Sequence, residues 1–207
     1  MGGATPQQFH GPQDRPEQAA EPSEDGCLIE EAHTDQNAFA ELYRRHYDGV
    51  FRHCVRRLFD RAIAEDVTSN VFLRIAQAFD RFQGDEKDFR NWLYKIATNE
   101  INAYQRSRTR RARLFRRAAT ERHSQRQQAR MDDTGQEGAA ILWRALQSLR
   151  PRYQAIVALR YFENMEFADI AAILDSSAST VRSQLSRALA KLRQQCDEVG
   201  RQPGEGE

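Results

Sequence analysis

Apolar residues return every third or fourth position through most of this chain, and no stretch alternates apolar with polar residues as a half-buried strand would. Phe39, Leu42, Tyr43, Tyr47, Val50, Phe51, Cys54, Val55 and Leu58 form one such stripe, and Val67, Val71, Phe72, Ile75, Ala78 and Phe79 form the next. Asp60 to Ala64 reads as a break between two helices, with Glu65 and Asp66 suited to the first turn of the second, where the helix dipole is positive. "FDRFQGDEKD", residues 79–88, reads as a loop, and Phe89, Trp92, Leu93, Ile96, Ala97, Ile101 and Tyr104 then mark a third helix. After a polar interval the pattern resumes at Ile141, Leu142, Ala145, Leu146 and Leu149, and Pro151 fits the first turn of a following helix because its missing N–H would be unpaired there anyway. The fold class is therefore all-α, and 40% apolar content over 207 residues favours two modest cores over one large one.

The formal net charge of +1 conceals opposed blocks. Residues 1–36 hold eight acids and one arginine, whereas residues 106–130 hold ten arginines and one glutamate. A basic block of that density is the footprint of a polyanion partner, since each neutralised phosphate releases counterions; a solvated linker is the plain alternative. The expected organisation is a disordered acidic tail over 1–34, a helical domain over 35–108, an arginine-rich flexible linker over 109–136, a helix-turn-helix domain over 137–196 and a disordered tail over 197–207.

Residues Phe167 to Leu192 read as helix, turn and longer helix. Ile170, Ala171, Ile173 and Leu174 give the first helix a core face. Asp175, Ser176 and Ser177 supply turn and cap chemistry, Asp because it tolerates the left-handed region and Ser because its oxygen accepts from free N–H groups. Val181, Leu185 and Leu192 would hold the second helix to the core. Ser179, Thr180, Arg182, Ser183, Gln184, Ser186 and Arg187 then face outward, and no acid interrupts the stretch from Ser176 to Leu192, as a DNA-facing surface requires.

Four stretches, "FAELYRRHYDGVFRHC", "AEDVTSNVFLRI", "FRNWLYKIATNEI" and "LRPRYQAIVALRYFENMEFADIAAILDSSASTVRSQLSRA", occur in an order and spacing that resembles the extracytoplasmic-function sigma factors, two-domain specificity subunits of bacterial RNA polymerase. The resemblance spans roughly Ala38 to Arg193. It implies that the first domain binds core polymerase and melts the minus-10 element while the second reads the minus-35 element, with no cofactor. It puts Asp66, Asn70, Leu73 and Arg74 against core polymerase. It makes Phe82, Trp92, Tyr94, Asn99, Arg106 and Arg108 candidates for the minus-10 strand, Asn99 because an amide offers donor and acceptor to an unpaired base edge. Ser179, Thr180, Arg182, Ser183, Gln184, Ser186 and Arg187 become the minus-35 readers. Expected partners are core RNA polymerase, promoter DNA as duplex and melted strand, and an anti-sigma factor. The family pattern commonly has Gln-Glu where Ser69 and Asn70 stand, and a basic residue where Gln184 stands; Asn164 and Glu166 replace a glycine and a small cap before the helix-turn-helix. The arginine-rich linker is expected to lie along polymerase and nucleic acid, and the acidic tail has the charge to screen it.

Two other classes are weighed against this reading. A stand-alone helix-turn-helix regulator would account for the C-terminal half, but a receiver domain would alternate strands and helices, and residues 38–105 do not. An enzyme would need convergent groups, whereas Glu65–Asp66, Asp85–Glu86 and Asp132–Asp133 are sequence neighbours that do not face each other across a substrate, and the five histidines show no metal-ligand spacing beyond a loose His46 and His53, seven apart on a helix without further ligands. Three cysteines far apart read as reduced thiols, no run approaches the ~20 apolar residues of a membrane span, and no signal peptide is legible, so a cytoplasmic protein without membrane insertion is expected.

Overall fold

A computed structural model of the chain describes residues 24–118 and 137–200; the expectations for residues 1–23, 119–136 and 201–207 lie outside the described residues. Within them the chain is helical: α1 (Glu24–Ala32), α2 (Gln36–Leu58), α3 (Arg61–Ala78), a 3-10 turn (Phe79–Arg81), α4 (Glu86–Ala118), α5 (Glu137–Ser148), α6 (Pro151–Val157), a π-turn (Ala158–Phe162), α7 (Phe167–Ile173) and α8 (Ala178–Gly200).

Helices α1 to α4 share one core, in which Leu42, Val50, Cys54, Val71, Ile75, Phe89, Leu93, Ala97 and Ile101 are buried. Four boundaries differ from the sequence expectation, one of them at the C-terminal end, where α8 stays helical through Gly200 although the sequence reads as a disordered tail from residue 197. Residues 24–32 are helical, not disordered, because Leu28, Ile29 and Ala32 make a short apolar edge that packs on this core despite acidic neighbours. Helix α3 begins at Arg61, one turn early: Asp60 stands just before it in extended backbone and its Oδ1 accepts from the Ile63 N–H at 3.1 Å, so Glu65 and Asp66 lie in the second turn. Helix α4 also continues past residue 108 to Ala118, so the arginine block starts as helix, in line with the high helix propensity of arginine.

Helices α5 to α8 form a second core around Leu149, Ile156, Leu159, Met165, Ile170, Val181, Leu185 and Ala188. Its turns follow the chemistry read from the sequence. Asp175 takes φ +47° between α7 and α8, Asn164 takes φ +53° before α7, and the Ser177 hydroxyl accepts from the Thr180 N–H at 3.1 Å. Glu166 makes no side-chain cap; its carboxylate instead accepts from Arg160 at 3.1 Å. The π-turn widens the backbone and leaves Tyr161 and Phe162 exposed.

The two cores meet along a polar seam whose centre is Glu163, only 7% exposed. Its Oε2 accepts from the Tyr94 hydroxyl at 2.6 Å, its Oε1 lies 3.4 Å from His53 Nδ1 and 3.3 Å from Arg56 Nη1, and its backbone carbonyl accepts from Arg90. Facing a carboxylate, His53 Nδ1 carries the proton. Tyr94, although on α4, is buried in the second core. Beside this knot Phe59, held at φ +58° where α2 ends, meets Trp143 edge-on at 4.9 Å, and the Arg56 guanidinium sits 4.4 Å over the Phe162 ring. Arg57 is 1% exposed and, among the described residues, donates only to neutral acceptors, Asn102 Oδ1 at 3.4 Å and the Pro151 carbonyl at 3.2 Å. Burial pulls its guanidinium down to about 10. A cation enclosed without a carboxylate costs rather than contributes, so this part of the seam opposes the packing.

The titrations of the knot have a common sign. Burial holds His53 below its ordinary 6.5, assisted by the Arg57 and Arg56 charges and outweighing the hydrogen bond to Glu163. Burial pushes the Glu163 carboxyl up, but His53, the Tyr94 hydroxyl and Arg56 outweigh it and hold the group below its ordinary 4.5. Separated cores would therefore bind more protons in acid than packed ones, and packing weakens as pH falls below 6.5 and again below 4.5. Tyr94 is raised, by burial first and the Glu163 charge second, so packing also weakens above its ordinary value of 10.0. A distance reporter between dyes on α2 and α8 should hold its closest value between these limits and lengthen in acid; an unchanged distance from neutrality to about pH 5 would refute the titration argument.

Gly84 ends the loop before α4 at φ +152°, and a Cβ added there would lie 2.7 Å from Asp88 Cβ. Asp88 cannot withdraw, because its N–H donates to Asp85 Oδ1 at 2.8 Å at the start of the helix. Gly84→Ala should cost about 1–3 kcal/mol in urea unfolding, with the loss confined to the core that contains α4.

Candidate nucleic-acid interface

Helix α4 runs the whole length of the first core, so its turns decide which side chains stay available. Phe89, Leu93, Ala97 and Ile101 repeat every four residues and face the core. Trp92, Asn99 and Arg106 repeat every seven and share another face; Trp92 is half-buried, and Asn99 and Arg106 are exposed. Arg108 is exposed, on a different side of the helix from these three.

Phe82 projects from the preceding loop and is 8% exposed. Its ring stacks on Trp92 at 5.0 Å and 23° and meets Phe89 edge-on at 5.6 Å. It thus forms the wall of an aromatic ledge whose open edge is Trp92. Asn99 lies two turns beyond Trp92 on the same helix face, about 10 Å along the axis. Tyr94 lies elsewhere, with its hydroxyl on Glu163 and its ring inside the second core. The family resemblance made it a minus-10 candidate, but nothing local in the sequence could report a carboxylate arriving from 69 residues away.

On α3, Asp66, Asn70, Leu73 and Arg74 are all exposed, and Leu73 at 56% is a large apolar side chain with water on most of its surface. Arg74 pairs with Glu100 of α4 at 2.5 Å, which ties this face to the helix that carries Asn99. These residues share a face because Thr68, Val71, Phe72 and Ile75 turn the opposite side of α3 to the core.

On α8, Ser179, Arg182, Ser183, Ser186 and Arg187 are exposed, while Thr180 and Gln184 are half-buried. Thr180 and Ser179 are drawn into the cap around the Ser177 hydroxyl, at 2.8 and 3.0 Å. Gln184 Oε1 accepts from Arg152 Nε at 2.9 Å, so the residue standing at the family's basic position is tied to α6. The Arg182 guanidinium lies 5.3 Å over the Phe167 ring, which steadies it at the edge of the face.

Sequence reasoning missed the functional weight of Glu163, His53 and the residues on α4 that face α7. Lys95 donates to Asp175 Oδ1 at 2.7 Å, Asn91 donates to Asp169 Oδ1 at 3.1 Å, and Lys87 pairs with the same oxygen at 3.2 Å. Their four-residue spacing was legible as one face; that carboxylates cover it was not. Among the described residues no group of three or more His, Cys, Asp or Glu side chains is disposed to hold a metal ion, and no helix is long and apolar enough to cross a membrane.

Residues 42–111 match the family model for sigma-70 region 2, and residues 139–192 match that for sigma-70 region 4. The ECF RNA polymerase sigma factor SigE of Mycolicibacterium smegmatis is 31% identical over 185 residues, covering 84% of this chain and 69% of that protein. The RNA polymerase sigma-E factor of Streptomyces avermitilis is 31% identical over 170 residues, covering 80% of this chain and 89% of that protein. The fold is also that of a chain in the co-crystal structure of the sigma factor RpoE with the anti-sigma factor NepR from Bartonella quintana, at a TM-score of 0.63 and 19% identity over 77% of this chain and 96% of that one. With both sigma-70 regions in order on two helical bodies, and relatives of that similarity along most of its length, the chain belongs to the extracytoplasmic-function sigma factors, which direct RNA polymerase to promoters.

Proposed function

We propose that this sigma factor divides promoter recognition between the two faces described above. The first domain, residues 35–108, takes the melted minus-10 strand on the Trp92–Asn99–Arg106 stripe, with Phe82 backing Trp92 and Arg108 contributing charge from the opposite side of the helix. The second, residues 137–196, lays α8 in the major groove of the minus-35 element through Ser179, Arg182, Ser183, Ser186 and Arg187, with Thr180 and Gln184 at the margin. Asp66, Asn70, Leu73 and Arg74 meet core polymerase. The observation that carries this reading is the exposure of Asn99 on the same helix face as Trp92, on a helix that runs on into arginine. A base stacked on Trp92 gains roughly 1–3 kcal/mol, and an amide one repeat along can read a freed base edge, so together they offset part of the cost of unpairing.

Tyr94 belongs to the minus-10 face only after the seam has opened. The protein acts in the cytoplasm on DNA held by polymerase and has no catalytic step of its own. An anti-sigma factor is a further partner of this reading, and the exposed apolar side chains Leu142, Tyr161 and Phe162, at 45%, 55% and 45%, offer it a landing place.

Run-off transcription with core polymerase over a genomic promoter library should yield defined start sites; none would end the reading. Asn99→Ala should reduce open-complex formation on duplex and premelted promoters alike, and normal complexes on both would remove Asn99 from the strand site. Arg182→Ala and Arg187→Ala should each weaken promoters that depend on the minus-35 element and flatten the log-affinity against log-salt slope by about 0.9 for each phosphate left unneutralised. An unchanged footprint there would show that another face of the domain reads the DNA.

A further inference from the structure

Lys87, Asn91, Lys95 and Asn99 follow one another at four-residue steps and form a single ridge along α4. The steps are about 6 Å, the rise of four helical residues. Asn99 is exposed at the lower end, and the other three are engaged by the second body. Asp169 Oδ1 takes Lys87 at 3.2 Å and Asn91 at 3.1 Å; Asp175 Oδ1 takes Lys95 at 2.7 Å, and Lys95 also donates to the Ala172 carbonyl at 3.4 Å. Just off the ridge, Arg90 donates to the Glu163 carbonyl and Arg56 pairs with the Glu163 carboxylate. The second body thus meets the ridge with anionic and carbonyl oxygens, each set against a cationic or amide donor.

We propose that this ridge is a binding surface for the phosphates of single-stranded DNA, continuous with Asn99, and that the carboxylates of Asp169 and Asp175 occupy it as an intramolecular stand-in for them. The inference rests on the minus-10 reading above and extends it upward along α4. Three observations carry it. The donors on the ridge are of the kind that bind phosphate oxygens, two ammonium groups and an amide, in register with a residue already assigned to the strand. Carboxylates present the same acceptor chemistry as phosphate oxygens at each donor, so one surface cannot hold both at once. The packing that brings them together is reversible in character. The two ion pairs on the ridge each have one partner near solvent, Lys87 at 67% and Asp175 at 77% exposed, and among the described residues the packing encloses the Arg57 cation against neutral acceptors.

Geometry adds a reason for the seam to open. Elements about 25 base pairs apart at roughly 3.4 Å each are separated by about 85 Å, whereas a domain of this size has a radius of gyration of only about 11 Å. Two packed bodies cannot reach both. Separation for minus-35 and minus-10 binding would uncover the ridge in the same movement, so a strand bound there opposes reclosure. The recognition face of α8 and the Trp92–Asn99–Arg106 stripe stay accessible in the packed form, so what packing covers is the ridge that extends the strand path above Asn99.

The test uses the full chain with Asp169→Asn and Asp175→Asn together. These keep the hydrogen-bonding shape and the left-handed backbone at position 175 while removing both charges, and neither residue belongs to the proposed DNA faces. Binding of a fluorescent single-stranded DNA of about a dozen nucleotides is measured beside the interdomain distance. The double variant should lengthen the distance and tighten strand binding roughly threefold or more. In that background Lys87→Ala with Lys95→Ala should abolish the gain and flatten the log-affinity against log-salt slope by about 0.7 for each phosphate no longer neutralised. A longer distance without tighter strand binding overturns the proposal, as does an unchanged distance or a gain that survives replacement of the two lysines. Asp175→Asn alone, at a largely exposed side chain, makes the same comparison in smaller degree if the double variant does not fold. Run-off transcription with the wild-type chain reports separately on the parent reading: defined start sites sustain it even when the strand assay fails.

Discussion

A carboxylate with almost no access to water organises this molecule. Glu163 leaves the end of the π-turn in the second body and is received by Tyr94, His53 and Arg56 of the first, and it keeps its charge there only because those groups converge on it. Burying an anion is unfavourable unless donors surround it, so the positions of α2 and α4 relative to the second core are fixed by where their donors must stand. Tyr94 offsets its burial with that single short hydrogen bond, His53 is held neutral, and Phe59 is carried into the left-handed region where its ring meets Trp143. Arg57 shows the other side of the same rule. Enclosed with two neutral oxygens for partners, it makes the seam less favourable than the number of its hydrogen bonds suggests.

Helix α4 divides its circumference among three tasks because a helix returns to the same face after three or four residues. One face is apolar and holds the helix in the first core. A second, from Lys87 to Lys95, is turned to α7. A third, through Trp92, Asn99 and Arg106, meets solvent. Proximity of the second and third faces on a single rigid rod gives the proposed coupling its mechanism: whatever covers one limits the path of a strand along the other. No bending of the helix is needed, only movement of the body that covers it.

Much of the fold was legible because it rests on local chemistry. The helices of both cores follow from apolar spacing, and the helix-turn-helix follows from Asp175, Ser177 and the alternation of core and outward positions on α8. Where the reading failed locally, the cause was a competing local rule. Asp60 caps α3 a turn before the acids that suggested its start, and three apolar side chains suffice to fold α1 onto a core that was invisible from composition. The candidate strand residues divided along the same line. Asn99, Arg106 and Arg108 are exposed as their helical positions imply, whereas Tyr94 is buried by a partner distant in sequence, and Phe82 is tucked behind Trp92 by ring packing across a loop.

Taken alone, the amino-acid sequence determined the helices and their caps, which depend on residues within a few turns of one another, and the separation of charge and the sigma-factor resemblance, which need only the order of residues along the chain. Only the tertiary structure decided which polar face of α4 is free and which is covered, and that a glutamate from one body is held by a histidine, a tyrosine and an arginine of the other. Those choices depend on groups 69 to 110 residues apart being brought within hydrogen-bonding distance. Periodicity can name a face, but the cost of burying charge selects its neighbour, and that cost exists only once the two bodies have met.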